Sequence, residues 1–452
     1  MLYLIIKPLV NIFYRVFYKI EFKGLEKIPF GKPIILSPNH VNGFIDPGVV
    51  VMTLPRKVRM IARGDVFKNR LAKWALNSMN VSPMYRLQEG FGEVKKNDKT
   101  FEECLTLMSE NKVLLLFPEA ICVQEKRLRP LKKGLSRIIF QTEEAFDFKK
   151  EVYVVPIGLN YSAPKKFRSR LFVNFGTPLS IEKYEAQYKQ DKARAVNDFT
   201  KALEQEMSQL IIIIKNKDND ELTAGINEIY LEQSLTERKI DCKNIEQQYH
   251  AGKEIADMIN YHDAANPVLI DSLKDKIISY LRKLQNLDLR DHLFHPEKIN
   301  KLSIGNFILD FIIIWFGMPF YIIGLLMNFP PYYLGRIYAD KKIKLDEFYA
   351  SMRVNVSMVL WIIYFGLQLI AGFFIFHSWI FLCIYALLIP LTGFYVLHYY
   401  PAMKKIFGRW RLLGLVRKDK EKIESLMKER MQIIAEIESA KKKYIESIKT
   451  NL

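Results

Sequence analysis

The sequence predicts an α/β domain near the N-terminus, followed by a charged helical region and by apolar helices in the last third of the chain. Between residues 25 and 180, short β-branched and aliphatic runs alternate with segments of helical periodicity, a pattern typical of an α/β domain with a mostly buried sheet. Three later apolar segments each have about the 20 residues that a bilayer core requires. At 452 residues the chain is long enough for two or three domains.

The first 24 residues are predicted to form an interfacial membrane helix. They are apolar, but Lys7, Arg15 and Lys19 interrupt them and no small-residue cleavage site follows, which is unlike a signal peptide. As a helix, the segment has one aromatic and aliphatic face that suits a membrane interface. The alternative is a buried helix of the domain core.

The predicted α/β domain occupies residues 25–180. Its strand-like runs are 34–36, 58–62, 113–117, 152–159 and 171–175, and helical patterns cover 99–110 and 131–145. Residues 181–304 then change to long charged patterns with few Gly or Pro, which we interpret as a helical insert or hairpin without repeats.

The membrane topology is predicted from the flanks of the three apolar segments, 307–328, 356–376 and 378–397. Basic residues precede the second segment and follow the third, so the positive-inside rule makes 356–397 a transmembrane hairpin with both ends in the cytosol. The first segment has basic sequence on both sides and contains Gly and Pro, so we predict a kinked or re-entrant element over 305–335. An ordinary third span is the alternative.

Residues 398–452 are predicted to be a basic amphipathic helical tail. Ile423, Leu426, Ile433 and Ile437 recur at approximately helical spacing. Such a stripe could pair with another helix, rest on a membrane, or belong to a solvated helix.

Charge and cysteine usage narrow the class of partner. The 67 Lys and Arg exceed the 49 Asp and Glu, and the net charge of +18 predicts attraction to polyanions. The apolar last third favours membrane lipids, and no recognition motif supports nucleic acid.

The four cysteines lack CxxC spacing, which indicates neither a zinc site nor a disulfide framework, so a reduced compartment facing the cytosol is expected.

The stretch SPNHVNGFIDP, residues 37–47, places His40 and Asp46 six positions apart after a predicted strand. A continuous helix would put them on different faces, but Gly43 permits a sharp turn and Asp46-Pro47 suits a helix start. The turn can then bring the carboxylate to the imidazole, fix its tautomer and leave the other nitrogen as a general base. Such a match arises readily by chance, so this pattern alone favours a polar strand-to-helix turn.

The stretch FPEAICVQEKRLRPLKKG, residues 117–134, supplies further polar groups. Glu119 follows a predicted strand, cations that include Arg127, Arg129, Lys132 and Lys133 come after it, and Gly134 opens the next helical pattern. A carboxylate beside cations at a helix start suits a ligand with hydroxyl and phosphate groups. The alternative without a function is a solvated basic loop.

His292 and His295 are spaced like a metal pair, but a surface helix end is the better interpretation.

In this order and spacing the chain resembles the glycerolipid acyltransferase superfamily, which includes glycerol-3-phosphate and 1-acylglycerol-3-phosphate acyltransferases. NHVNGFIDP is similar to its first block, ARGDVFK to MYR its second, FPEA with LRPLKKG its third, and VPIGLNY with NFGTP its fourth. The resemblance covers roughly residues 20 to 180. It implies an acyltransferase domain with a mixed sheet flanked by helices, and an O-acyltransferase activity in phospholipid biosynthesis.

The same resemblance implies the roles of individual residues and substrates. His40 would be the general base that deprotonates the acceptor hydroxyl for attack on an acyl thioester, and Asp46 would orient it. The residues implied to bind the glycerol phosphate are Arg86, Glu119, Arg63, Lys133 and Gly134. Acyl-CoA or acyl carrier protein would be the acyl-donor substrate, glycerol-3-phosphate or lysophosphatidate the acceptor, and no metal or other cofactor is expected. The enzyme would be an integral membrane protein with its catalytic domain facing the cytosol.

Two departures from the family pattern stand out. Five residues separate His40 from Asp46, where the family usually has four, and this variant resembles the fungal-type glycerol-3-phosphate acyltransferases and their bacterial relatives. Ala120 replaces the glycine of the common FPEG motif, and Ile121 and Cys122 follow. The departures leave the acceptor open and keep two alternatives: a non-catalytic lipid-binding scaffold and a phospholipid transacylase.

Overall fold

A seven-stranded mixed sheet lies at the centre of the first of two units. The computed structural model describes residues 2–85, 97–295 and 304–450. The first unit comprises residues 1–213 and 342–354, and the second comprises 214–341 and 355–452. The strands are β1 (Tyr18–Lys23), β2 (Ile34–Pro38), β3 (Val58–Arg63), β4 (Val81–Met84), β5 (Val113–Leu115), β6 (Tyr153–Tyr161) and β7 (Ser169–Phe175).

The strand order is β1-β7-β6-β2-β5-β3-β4. Strands β6, β2, β5, β3 and β4 are mutually parallel, whereas β7 pairs antiparallel with β6 and β1 runs parallel to β7. The predicted mixed sheet is therefore confirmed. Because the parallel strands share one carboxyl-terminal edge, residues that follow β2, β5, β3 and β4 are brought to the same side, where open α/β sheets bind their ligands.

Helices cover the sheet. Before residue 213, the helices formed by described residues are α1 (Leu2–Phe17), α2 (Ile45–Thr53), α3 (Arg70–Ser78), α4 (Asn97–Ser109), α5 (Gly134–Ala145), α6 (Glu185–Gln190) and α7 (Lys192–Gln209). Strand β2 is buried along its length and β5 likewise, as expected for parallel strands covered on both faces. Their residues are accordingly apolar except for Ser37 of β2.

Helix α7 belongs to the sheet domain, so the predicted domain boundary at residue 180 is wrong. Phe199, Leu203 and Met207 on this helix are buried in one cluster with Ile35 of β2 and Phe140 of α5. The helical spacing of these residues forms an apolar stripe that covers one face of the sheet. Residues 181–304 are therefore not a single structural region.

The N-terminal helix is shorter than predicted. It ends at Phe17, and residues 18–23, which were included in the predicted interfacial helix 1–24, form edge strand β1 instead. Tyr14 is buried against Gly48 of α2, whereas Leu4, Ile5 and Ile12 are exposed. The helix thus packs on the domain and keeps an exposed apolar side. Its membrane contact remains a prediction.

The second unit is helical. Its helices include α8 (Asp220–Ile229), α9 (Leu231–Glu237), α10 (Ile245–Ala265), α11 (Pro267–Asn286), α12 (Ile304–Lys342), α14 (Trp379–Lys418) and α15 (Lys420–Thr450), and α13 (Asp346–Phe376) begins in the first unit. Ile437 of α15 is buried in one core with Ile226, Ile259 and Ile277 of α8, α10 and α11. Of the three alternatives for the tail, the apolar stripe therefore pairs with other helices of the same chain.

In the part of the chain that the structure describes, three helices are long and apolar enough to cross a membrane: residues 308–342, 346–375 and 379–418. Helix α12 is continuous over 39 residues although Pro319, Pro330 and Pro331 lie inside it, so no break in the helix accompanies the kinked or re-entrant element predicted over 305–335, and its path through a membrane remains a prediction. Helices α13 and α14 are separated only by residues 377 and 378, as the predicted hairpin requires. The orientation of these helices in a membrane remains a prediction.

Candidate active site

The turn between β2 and α2 brings His40 and Asp46 together. The distance from His40 Nδ1 to Asp46 Oδ2 is 2.9 Å. The same carboxylate oxygen accepts hydrogen bonds from the backbone N–H groups of Val41 and Asn42, both at 2.7 Å. Asp46 is completely buried. The chain thus wraps around the carboxylate, and the six-residue separation places it beside the imidazole.

Tyr161 completes the hydrogen bonding of Asp46. Its hydroxyl donates to Asp46 Oδ1 at 2.7 Å from the end of strand β6. Burial, and then the nearby carboxylate, raises the pKa of the Tyr161 phenol well above its usual value, so the hydroxyl remains a donor. With both oxygens bonded, the Asp46 carboxylate has one orientation.

The imidazole of His40 is held on one side and open on the other. Its ring stacks on Phe117, with 4.0 Å between the centroids. The His40 side chain is 18% exposed, and among the described residues Nε2 has no hydrogen-bond partner. A proton on Nδ1, directed at Asp46, leaves Nε2 with a free lone pair. The arrangement suits a general base, and that role for His40 remains a prediction.

Glu119 ties the turn that contains His40 to the loop that follows β5. Its Oε1 accepts from the backbone N–H of His40 at 2.8 Å, and its Oε2 accepts from that of Arg129 at 3.0 Å. The residue is buried, and desolvation raises the pKa of its carboxyl group. The carboxylate therefore positions backbone. Each carboxylate oxygen can accept one more hydrogen bond, so Glu119 could also contact substrate. That contact remains a prediction.

The predicted phosphate-binding residues lie in different surroundings. Arg63 ends β3 and pairs with Asp65, Lys133 is exposed, and Gly134 is the first residue of α5. Among the described residues, no hydrogen bond or ion pair joins Arg63 or Lys133 to the His40–Asp46 pair. Arg86 lies outside the described residues.

The cations of the FPEA stretch are partly neutralised by one carboxylate. Glu125 Oε2 lies 3.4 Å from Nε of Arg127 and 2.8 Å from Nη2 of Arg129. Both arginines lie in the loop after β5, which Glu119 links to the turn at His40 through the backbone N–H of Arg129. A phosphate would have to compete with Glu125 for them or use their remaining donors.

The backbone explains the glycine that the family commonly has at position 120. Ala120 adopts φ = 59°, the left-handed region that glycine enters without steric cost. An alanine there costs on the order of 1 kcal/mol. This chain therefore carries a methyl group at a position whose backbone conformation favours glycine.

Cys122 lies next to His40 and Asp46. Its Sγ accepts from the backbone N–H of Gly43 at 3.1 Å, and burial, more than Asp46, raises the pKa of the thiol. Ligand atoms of His40, Asp46 and Cys122 fall within 4.8 Å of one another, the one such group among the described residues. A metal would require the thiolate, which this environment disfavours. The trio therefore fits a hydrogen-bonded cluster better than a metal centre.

Sequence reasoning missed several residues that support the pair. The side chain of Asn39 exchanges two hydrogen bonds with the backbone of Leu159, at 3.3 and 2.7 Å. Asn42 Nδ2 donates to the Tyr18 hydroxyl at 2.9 Å. In the sequence, the only indication of these two supporting residues is that one asparagine lies on each side of His40. Tyr161, in contrast, is recognisable only once β6 is known to lie beside β2.

Known proteins similar to this chain are acyltransferases. Residues 19–160 match the Acyltransferase family model. Glycerol-3-phosphate O-acyltransferase 1 of Saccharomyces cerevisiae is 25% identical over 286 residues, which cover 60% of this chain and 35% of the yeast protein. A chloroplastic 1-acyl-sn-glycerol-3-phosphate acyltransferase of Brassica napus is 28% identical over 144 residues, which cover 32% of this chain and 38% of the plant protein.

Among solved structures, the 1-acyl-sn-glycerophosphate acyltransferase of Thermotoga maritima matches with a TM-score of 0.34 and 15% identity, over 45% of this chain and 76% of that one. The chain spans little more than a third of the length of the yeast and plant relatives. The resemblance to the glycerolipid acyltransferase superfamily is confirmed by the family match and these two relatives.

Proposed function

We propose that this chain, whose residues 19–160 match the acyltransferase family, transfers a fatty acyl group from an acyl thioester to a hydroxyl of glycerol-3-phosphate. The observation that carries the proposal is the state of His40: Nδ1 lies 2.9 Å from the buried Asp46 carboxylate, while Nε2 has no partner among the described residues. A hydroxyl nucleophile needs such a base at neutral pH, because a free alcohol is a weak nucleophile.

In the proposed reaction, Nε2 of His40 takes the proton of the acceptor hydroxyl as its oxygen attacks the thioester carbonyl. The tetrahedral intermediate then collapses, the new ester C–O bond is retained and the C–S bond breaks. The imidazolium returns the proton to the departing thiolate, which leaves as a thiol. Asp46 stabilises the imidazolium between the two proton transfers, as orienting carboxylates do elsewhere. Proton transfer of this kind contributes about 10² to 10⁴-fold in rate.

Glycerol-3-phosphate is proposed before its monoacyl derivative because of how far the similarities extend. The alignment with the yeast glycerol-3-phosphate enzyme covers 60% of the chain, whereas that with the plant 1-acylglycerol-3-phosphate enzyme covers 32%. The first therefore reaches beyond the sheet domain. We further propose acyl-CoA or acyl carrier protein as the donor, no metal or other cofactor, and a membrane-bound enzyme with its catalytic domain facing the cytosol.

The test is acyl transfer by the purified full chain in vesicles. Labelled glycerol-3-phosphate and labelled lysophosphatidate are offered separately, each with acyl-CoA, with acyl carrier protein and with a phospholipid donor. We expect acylated glycerol-3-phosphate from a thioester donor, with turnover at least 100-fold lower in His40→Ala. The matched control is His250→Ala, which removes an exposed histidine on α10 and should retain wild-type turnover.

The outcomes separate the rivals. Product from the phospholipid donor alone would favour a transacylase. Full turnover in His40→Ala would refute the proposed base. No product from any pair, with folded protein, would favour the lipid-binding scaffold. Ala120, the sequence feature in favour of the scaffold, weighs less once its backbone conformation is known, because that conformation is the one a glycine would adopt.

A further inference from the structure

We infer that Ser351, 309 positions after Asn42, is a positioning residue for His40 and Asp46. It lies in the first turns of α13, within residues 342–354 of the first unit. Its hydroxyl holds the turn that joins the two catalytic residues. The consequence for turnover rests on the proposed function, whereas the consequence for the turn itself does not.

The hydroxyl of Ser351 contacts the turn at two places. Ser351 Oγ accepts from the backbone N–H of Phe44 at 3.1 Å. It lies 3.2 Å from Asn42 O and 3.1 Å from Asn42 Oδ1, to either of which it can donate its single proton. Ser351 is completely buried, as is Asn42. Removal of this hydroxyl would leave the backbone N–H of Phe44 without its acceptor.

Gly43 explains how the helix comes so close. Its φ is +28°, and a Cβ on this residue would lie 2.7 Å from Ser351 Oγ and 2.9 Å from Cδ1 of Phe348. The rings of Phe348 and Phe44 pack with centroids 5.8 Å apart. A side chain at position 43 would push the helix away. The turn is therefore shaped to receive this segment.

Further contacts hold the segment on the sheet domain. Lys165 Nζ lies 2.6 Å from Asp346 Oδ1 and 6.0 Å from the ring centroid of Tyr349. Both charged groups are substantially exposed, so this ion pair contributes little. The guanidinium of Arg353 lies 5.7 Å from the ring centroid of Phe17. The helix start is thus attached on both sides of Ser351.

Asn42 transmits the position of Ser351 to the base. The Asn42 side chain contacts Ser351 and the Tyr18 hydroxyl, and its backbone N–H donates to the Asp46 oxygen that also faces His40. A shift of Asn42 would therefore shift Asp46 relative to the imidazole. Misplacement by about 1 Å can cost about 10²-fold in rate, and we expect a kcat loss of about 10 to 100-fold when the hydroxyl is removed.

The experiment compares Ser351→Ala with the pair Ser351→Thr and Ser351→Val. Thr and Val have the same shape, so a difference between them reports the hydroxyl even if Ala disturbs folding. Ser357→Ala is the matched control: Ser357 lies on the same helix, and its buried Oγ has no hydrogen-bond partner among the described residues. The readouts are kcat and KM of the full chain for glycerol-3-phosphate and hydrogen exchange of the peptide covering residues 41–45.

We expect kcat to fall in the Ala and Val variants with KM within about twofold of wild type, and exchange of residues 41–45 to accelerate. Thr should restore most of both, and Ser357→Ala should change neither. Unchanged exchange in the Ala and Val variants would refute the inference, as would equal losses in Thr and Val. If wild-type protein transfers no acyl group, the proposed function fails, but the exchange comparison still decides whether Ser351 holds the turn.

Discussion

At the scale of single residues, the site depends on carboxylates that organise backbone. Asp46 accepts from His40, two backbone amides and Tyr161, while Glu119 accepts from two more amides. The Asp46 carboxylate contacts the imidazole of His40. The Glu119 carboxylate joins the backbone of His40 to the loop that follows β5. Both are buried, which makes each hydrogen bond costly to lose.

Glu119→Gln should destabilise the protein by about 1 to 3 kcal/mol, because the amide has one acceptor oxygen and would leave one of the two backbone N–H groups unpaired. The measurement is the denaturation midpoint of both proteins. A midpoint equal to wild type would contradict the bonding assigned to Glu119.

Acidification supplies a second test of Glu119. Burial raises its pKa in the folded state, so the folded protein takes up this proton before the unfolded chain does. This contribution is present at acid pH and is lost as pH rises through the folded pKa. The stability of wild type relative to Glu119→Gln, which cannot titrate, should therefore increase as pH falls from neutral into the mildly acidic range. A difference that shrinks on acidification would contradict the raised pKa.

At this scale, the sequence predicted only the site residues that short local motifs mark. His40, Asp46 and Glu119 are marked by their positions at strand ends and by motifs of a few residues. Tyr161 and Ser351 reach the same site from segments more than 100 positions away, and no local pattern indicates such contacts. The conformation of Ala120 likewise follows from the loop that surrounds it.

At the scale of elements, helical periodicity predicted helices well and their packing partners poorly. Residues 18–23 alternate polar and apolar side chains, yet their continuity with the apolar N-terminus suggested a longer helix. Helix α7 has a stripe that could have faced another helix, and it covers the sheet instead. An apolar stripe shows that one face of a helix is buried, but it does not identify the element against which that face packs.

The terminal helix α15 offers a direct test of packing. Ile437 is completely buried among helices α8, α10 and α11. Ile437→Ala should lower the stability of the second unit by about 2 to 5 kcal/mol, since it removes buried methyl groups and leaves a cavity. The readout is thermal unfolding in detergent, with Met431→Ala, at a side chain 60% exposed, as the control. Equal midpoints for the two variants would place the stripe outside the core.

At the scale of the whole molecule, the sheet domain is completed by a segment distant in sequence. Residues 342–354 belong with residues 1–213, although the intervening chain forms part of the second unit. Length, charge and hydropathy predicted separate polar and apolar parts, but such averages cannot identify a short segment that returns to an earlier domain. The turn at His40 therefore depends on sequence that lies beyond the family match at residues 19–160.

The most direct test of the account is the kinetics of Asp46→Asn. The central claim is that a buried carboxylate orients the His40 imidazole so that Nε2 acts as the base. An asparagine keeps the shape but can present an amide N–H₂ to Nδ1, which favours the wrong tautomer. In folded protein we expect kcat for acylation of glycerol-3-phosphate to fall by about 10² to 10⁴-fold, with KM within about twofold of wild type. A folded Asp46→Asn variant with wild-type kcat would contradict the claim.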